Sequence, residues 1–205
     1  MKFFDPDGKE VRDGTGAYCK ENAGLKALTR TLAAHNDKNS IMIVAHGVYN
    51  SEKDRYASSI DIQTYNPNSG EWSHNYISNG EQLDNFLSAN SQTWNDYKDG
   101  KISADDLHIV FYSCGSSPLV QKISGDDAFK DVNLIAPSKK VHQLNLENGD
   151  QKTTVENTKF VEKDGKYDPV GKRDYGSWVS LKNGSVQTTY SGDENLLPGT
   201  NGFKY

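Results

Sequence analysis

Three short apolar runs constrain this chain more than any other feature: Ile41-Met42-Ile43-Val44-Ala45, Ile109-Val110-Phe111-Tyr112 and residues 132–136. A strand with one face in water alternates apolar and polar side chains. A run that does not alternate suits a strand covered on both faces, as in a parallel sheet. The order of elements around these runs is helix, strand, hairpin, helix, strand, helix, strand. That order predicts an α/β fold, a three-layer sandwich with a mostly parallel central sheet.

Leu25, Leu28 and Leu32 recur on one helical face, so a helix is predicted over 23–35, ended by Asn36-Asp37-Lys38-Asn39. Residues 47–58 read as polar and without regular structure. Ile60, Ile62 and Thr64 then alternate with Asp61, Gln63 and Tyr65. The turn Asn66-Pro67-Asn68-Ser69-Gly70 follows, and Trp72, His74 and Tyr76 continue the alternation, so a hairpin over 59–77 is inserted after the first strand. Ser78 and Glu81 have capping-box spacing ahead of Leu83, Phe86 and Leu87, which predicts a helix over 79–90. A right-handed crossover through that helix sets the strand over 107–113 beside the first. Pro118 suits the first turn of a short helix carrying Leu119, Val120 and Ile123.

From Val141 the texture becomes polar and rich in Gly and Asn. Lys182-Asn183-Gly184-Ser185 separates two strand-like stretches, and Asn-Gly in that setting signals a hairpin. Residues 1–140 are therefore read as the α/β core, and 141–205 as a β-rich, peripheral extension of the same domain.

The 205 residues carry a net charge of −5 with Lys and Arg scattered, which leaves no electrostatic footprint for nucleic acid. No apolar run approaches the roughly 18 residues a membrane span needs. The start, Met1-Lys2-Phe3-Phe4-Asp5, turns polar too early for a signal-peptide core. The chain is read as soluble, with any export by a specialised route or as part of a larger parent chain. Two cysteines, Cys19 and Cys114, build no disulfide framework, although a single bridge between them stays open.

The first apolar run ends in His46-Gly47 and the second in Ser113-Cys114-Gly115. If the two are neighbouring parallel strands, an imidazole and a thiol emerge side by side at the carboxyl ends, where open α/β sheets place their chemistry. A free thiol is only a few per cent thiolate at neutral pH, so a catalytic cysteine needs a neighbouring base or positive charge. His46 supplies one. Gly47 lacks a Cβ and lets backbone approach a substrate carbonyl, so the N–H groups of Gly47 and Cys114 are candidates for an oxyanion hole.

Val44-Ala45-His46-Gly47, a helical crossover, and Phe111-Tyr112-Ser113-Cys114-Gly115 together resemble the pattern of the caspase-like cysteine peptidases. That group spans caspases, legumains, gingipain and clostripain types, separases and self-cleaving toxin domains. The resemblance covers roughly residues 41–138, with 132–137 similar to the next core strand. It implies His46 as general base or orienting acid, Cys114 as nucleophile, and Gly47 with Cys114 as the oxyanion hole. The caspase signature Gln-Ala-Cys-x-Gly is replaced by Tyr112-Ser113-Cys114-Gly115-Ser116, and the His-to-Cys separation exceeds the caspase spacing of about 50 residues. The inserted hairpin accounts for the excess. Phe4-Asp5-Pro6-Asp7-Gly8-Lys9-Glu10-Val11 also resembles segments that join repeat shells to toxin tips in bacterial polymorphic toxins, and it is equally ordinary hairpin chemistry.

The expected activity is thus a thiol endopeptidase acting on a peptide or protein, its own parent chain included. The alternatives are a toxin effector with other thiol-dependent chemistry and an inactive module that binds peptides in the same cleft. No cofactor is called for, and a zinc site through His46 and Cys114 lacks any short ligand spacing. Asp61, Asp126 and Asp127 are candidates to orient the histidine, with none singled out. His35 suits the negative end of the first helix, His74 in the hairpin either reaches the site or faces solvent, His108 and His142 default to surface or packing roles, and Trp72, Trp94 and Trp178 default to core or hairpin packing. Gly-x-Ser-x-Gly is missing around Ser113 and Ser116, which disfavours a serine hydrolase.

Overall fold

The computed structural model of the chain describes residues 2–4, 10–13, 39–50, 55–66, 68–145, 151–163 and 166–193. The helix expected over 23–35, together with Cys19 and His35, lies outside them. The protein is α/β. Its main sheet runs through five strands in the order β3 (Ser40–Val44), β7 (His108–Tyr112), β8 (Asn133–Pro137), β13 (Ser177–Lys182) and β14 (Ser185–Ser191). Beyond β3 it continues into β2 (Glu10–Asp13) and β1 (Lys2–Phe4). β2, β3, β7 and β8 run parallel to one another, whereas β13 joins β8, β14 joins β13 and β1 joins β2 antiparallel.

The lack of alternation in the apolar runs has its reason in the packing. Ile41 and Ile43 of β3, Ile109 and Phe111 of β7 and Leu134 of β8 face one buried cluster. Met42 and Val44, Val110 and Tyr112, and Ile135 face a second. The first cluster is closed by α1 (Gly80–Asn90), α2 (Gln92–Lys98) and α3 (Ser117–Ile123), through Leu83, Leu87, Trp94, Leu119, Val120 and Ile123. The second gathers Trp178 of β13 and Val155 of β10 (Gln151–Val155). β10 pairs antiparallel with β9 (Val141–Asn145), and β11 (Phe160–Lys163) pairs likewise with β12 (Lys166–Pro169).

Three expectations are corrected. The stretch after Gly47 is not structureless: β4 (His46–Asn50) opens an antiparallel sheet with β5 (Arg55–Asn66) and β6 (Glu71–Ile77), so the expected hairpin is the outer part of three strands. The mostly polar sequence of 47–58 lacks the apolar alternation that marks a half-buried strand. The cap of α1 sits one residue later than expected, with Asn79 accepting from the Gln82 N–H at 2.9 Å and the Ser78 N–H donating to Gln82 Oε1 at 2.8 Å. The carboxyl-terminal region is β-rich as expected, but β13 is no peripheral strand, since Trp178 and Leu181 are fully buried. Its hairpin turns at Asn183 and Gly184, whose φ angles of 51° and 70° match the mirror-image turn that suits twisted strands.

Candidate active site

β3 and β7 pair in register from Ser40 with His108 to Val44 with Tyr112, and the Ala45 N–H reaches the Tyr112 carbonyl at 3.4 Å. His46 and Cys114 each lie two residues past that last pair, on the carboxyl rim of the sheet. Their strands do not diverge there. A Cβ built on Gly47 would stand 2.0 Å from the Cys114 carbonyl oxygen, so the backbone of β4 runs directly against the Cys114 peptide. No residue with a side chain fits at this contact.

Cys114 begins a tight turn, in which Gly115 has a φ of 60° and donates its N–H to the Lys139 carbonyl at 2.8 Å. The Cys114 thiol is free, and the bridge left open by the sequence involves Cys19, outside the described residues. The Val141 N–H, at the start of β9, points at Cys114 Sγ at 3.4 Å. Burial pushes the thiol pKa up, and the Val141 N–H and the charge of Lys140 offset this only in part. The surroundings thus favour the neutral form of the thiol over the thiolate. His46 is exposed on the same rim.

Beside His46 stands a polar face that the sequence did not single out. Ile60 and Ile62 of β5 and Ile77 of β6 are buried against the core. With a period of two, Asp61 and Gln63 occupy the opposite face of the sheet. In register, His46 pairs with Asp61, Asp61 with Tyr76, and Gln63 with His74. Asp61 is nevertheless 7 % exposed, and Gln63 Nε2 donates to its Oδ2 at 2.9 Å. His74 Nδ1 lies 2.9 Å and 3.1 Å from the two carboxylate oxygens.

The other aspartates do structural work or face water. Asp126 Oδ2 accepts the Gly80 N–H at 2.9 Å and so caps α1 from the loop after α3. The side chain of Asp127 is fully exposed beside Lys130. His108 is buried with its Nδ1 3.3 Å from Asn133 Nδ2. His142 packs its ring 5.1 Å from that of Phe160, sets Nε2 3.2 Å from the Glu156 carbonyl, and is pushed down in pKa by burial. Ser113 and Ser116 are wholly buried, and neither hydroxyl has a hydrogen-bond partner. Trp94 and Trp178 are core residues. Among the described residues no group of three or more His, Cys, Asp or Glu side chains could hold a metal ion, and no helix is long and apolar enough to cross a membrane.

β9 is held against the Cys114 turn by an anchor in the carboxyl-terminal region. Glu156 has no solvent exposure, and its N–H bonds the Lys140 carbonyl at 2.9 Å. Burial would raise its carboxyl, but hydrogen bonds from Arg173, Thr154 and Thr158 and the charge of Arg173 outweigh that and hold its pKa at about 2. The Arg173 guanidinium lies 4.7 Å from the Tyr175 ring centre and 5.6 Å from that of Phe160. The signal that would have found this anchor is absent from local sequence, because Glu156 and Arg173 meet only through the fold. Compared with protein-family models, curated proteins and solved structures, the chain finds no match.

Proposed function

We propose that this chain is a cysteine endopeptidase with a caspase-like, three-layer arrangement, in which His46 and Cys114 form the catalytic pair. The observation that supports the reading is the close approach of Gly47 to the Cys114 carbonyl, which brings the two strand ends together on one rim of the sheet. In this mechanism His46 takes the thiol proton as Cys114 Sγ bonds to the substrate carbonyl carbon. The carbonyl electrons move onto oxygen, where the N–H groups of Gly47 and Cys114 stabilise the oxyanion. Collapse expels the amine, which receives the proton from His46, and leaves a thioester on Cys114. Water, deprotonated by His46, then releases the acid and restores the thiol. The substrate is a peptide or protein, and the parent chain itself is one candidate.

The raised pKa of the half-buried Cys114 thiol favours a second reading, an inactive relative that binds peptides at the same strand ends. A peptide-library cleavage screen separates the two, using wild type, Cys114→Ala and His46→Ala. Cleavage by wild type alone supports the peptidase. An absence of cleavage, of self-processing included, with retained peptide binding supports the inactive module. Transfer of an acyl group to an amine or alcohol in place of water would make the pair a toxin-type effector.

A further inference from the structure

The placement of Asp61 points to a role that no core requirement explains. A carboxylate is costly to bury and persists only when its oxygens are satisfied. Asp61 sits on the face of β5 opposite Ile60 and Ile62, directly across from His46, and is gripped by His74 and Gln63. Residues opposed in an antiparallel pair bring their Cβ atoms within about 4.5–5.5 Å on one face. We infer that Asp61 is the positioning residue for His46, and that His74 and Gln63 hold its carboxylate in place. Asp61 would fix the His46 ring and stabilise its imidazolium once the thiol proton has been taken, a role that a carboxylate beside a base performs without itself being protonated. Asp61 touches no substrate in this scheme. The inference rests on the imidazole and thiol pair proposed above.

The test measures alkylation of Cys114 in the full chain by iodoacetamide at pH 7.5, followed on the Cys114 peptide by mass spectrometry, together with peptide cleavage. His46→Ala and Asp61→Asn should each slow alkylation by about tenfold or more, with Asp61→Glu recovering part of the rate. In cleavage, Asp61→Asn should lower kcat and leave KM unchanged. If no peptide is cut but Asp61→Asn slows alkylation as His46→Ala does, the positioning role stands while the peptidase reading falls. If His46→Ala slows alkylation and Asp61→Asn matches wild type, the positioning role is overturned alone. A rate indifferent to His46→Ala overturns both. Should Asp61→Asn fail to fold, His74→Gln decides by the same readout: it removes one clamp on Asp61, a loss of roughly threefold is expected, and an unchanged rate overturns the inference.

Discussion

At Gly47 a single methyl group decides whether the two strand ends can meet. The obstacle is backbone rather than a flexible side chain, so Gly47→Ala must push β4 away from the Cys114 turn. The variant is expected to lose about 1–3 kcal/mol of stability and, under the proposed mechanism, at least about 100-fold in kcat/KM through displacement of the proposed oxyanion donors. Thermal unfolding and peptide cleavage measure the two losses. Cys114 makes a second residue-scale test. Its pKa lies above that of a free cysteine because the thiolate is poorly solvated. In the His46→Ala background, Cys114 alkylation should therefore rise with pH later than that of a cysteine in an unfolded peptide. An earlier rise would show that the thiol is activated without the histidine.

Elements are joined here by polar contacts that reach across the fold. The N-terminus of α1 is capped twice, locally by Asn79 and from the loop after α3 by Asp126. Asp126→Ala strands the Gly80 N–H, whose contact with Asp126 is partly buried, and should cost about 1–2 kcal/mol, lowering Tm by roughly 2–8 °C. Asp127→Ala, one residue on but fully exposed, should stay within about 0.5 kcal/mol of wild type. Equal effects of the two in thermal melts would remove Asp126 from the capping role. The β4-β5-β6 sheet shows the same economy of faces: isoleucines bind it to the core on one side, which leaves the other side for His46, Asp61 and His74.

The molecule as a whole depends on its carboxyl-terminal third. Trp178 and Leu181 complete the two buried clusters on the faces of the sheet, so a chain ending at Gly176 should lose its cooperative unfolding transition and its near-ultraviolet circular dichroism. Glu156 adds a pH dependence. Its folded pKa of about 2 lies below the ordinary value of 4.5, so its stabilisation is complete above that ordinary value and is lost as pH falls through about 2. Glu156→Gln, which leaves Arg173 without its buried partner, should destabilise the protein by about 3–5 kcal/mol at pH 7. The gap from wild type should narrow steadily as pH drops from about 4.5 towards 2. Urea midpoints across that range measure it, and a gap independent of pH would deny Glu156 its charge.

Local sequence was enough for whatever depends on periodicity and short-range caps. The runs around Ile41 and Ile109 announced strands buried on both faces, Leu83 and Leu87 announced α1, and Asn183-Gly184 announced the last hairpin, because each needs only neighbours in the chain. The placing of His46 and Cys114 at strand ends was legible for the same reason. Only the tertiary structure decided that Gly47 abuts the Cys114 carbonyl, that Asp61 rather than Asp126 stands across from His46, and that Glu156 and Arg173 anchor the strand beside the thiol. Those pairings link residues distant in sequence through strand register and packing, and register is set by which faces the whole fold can bury.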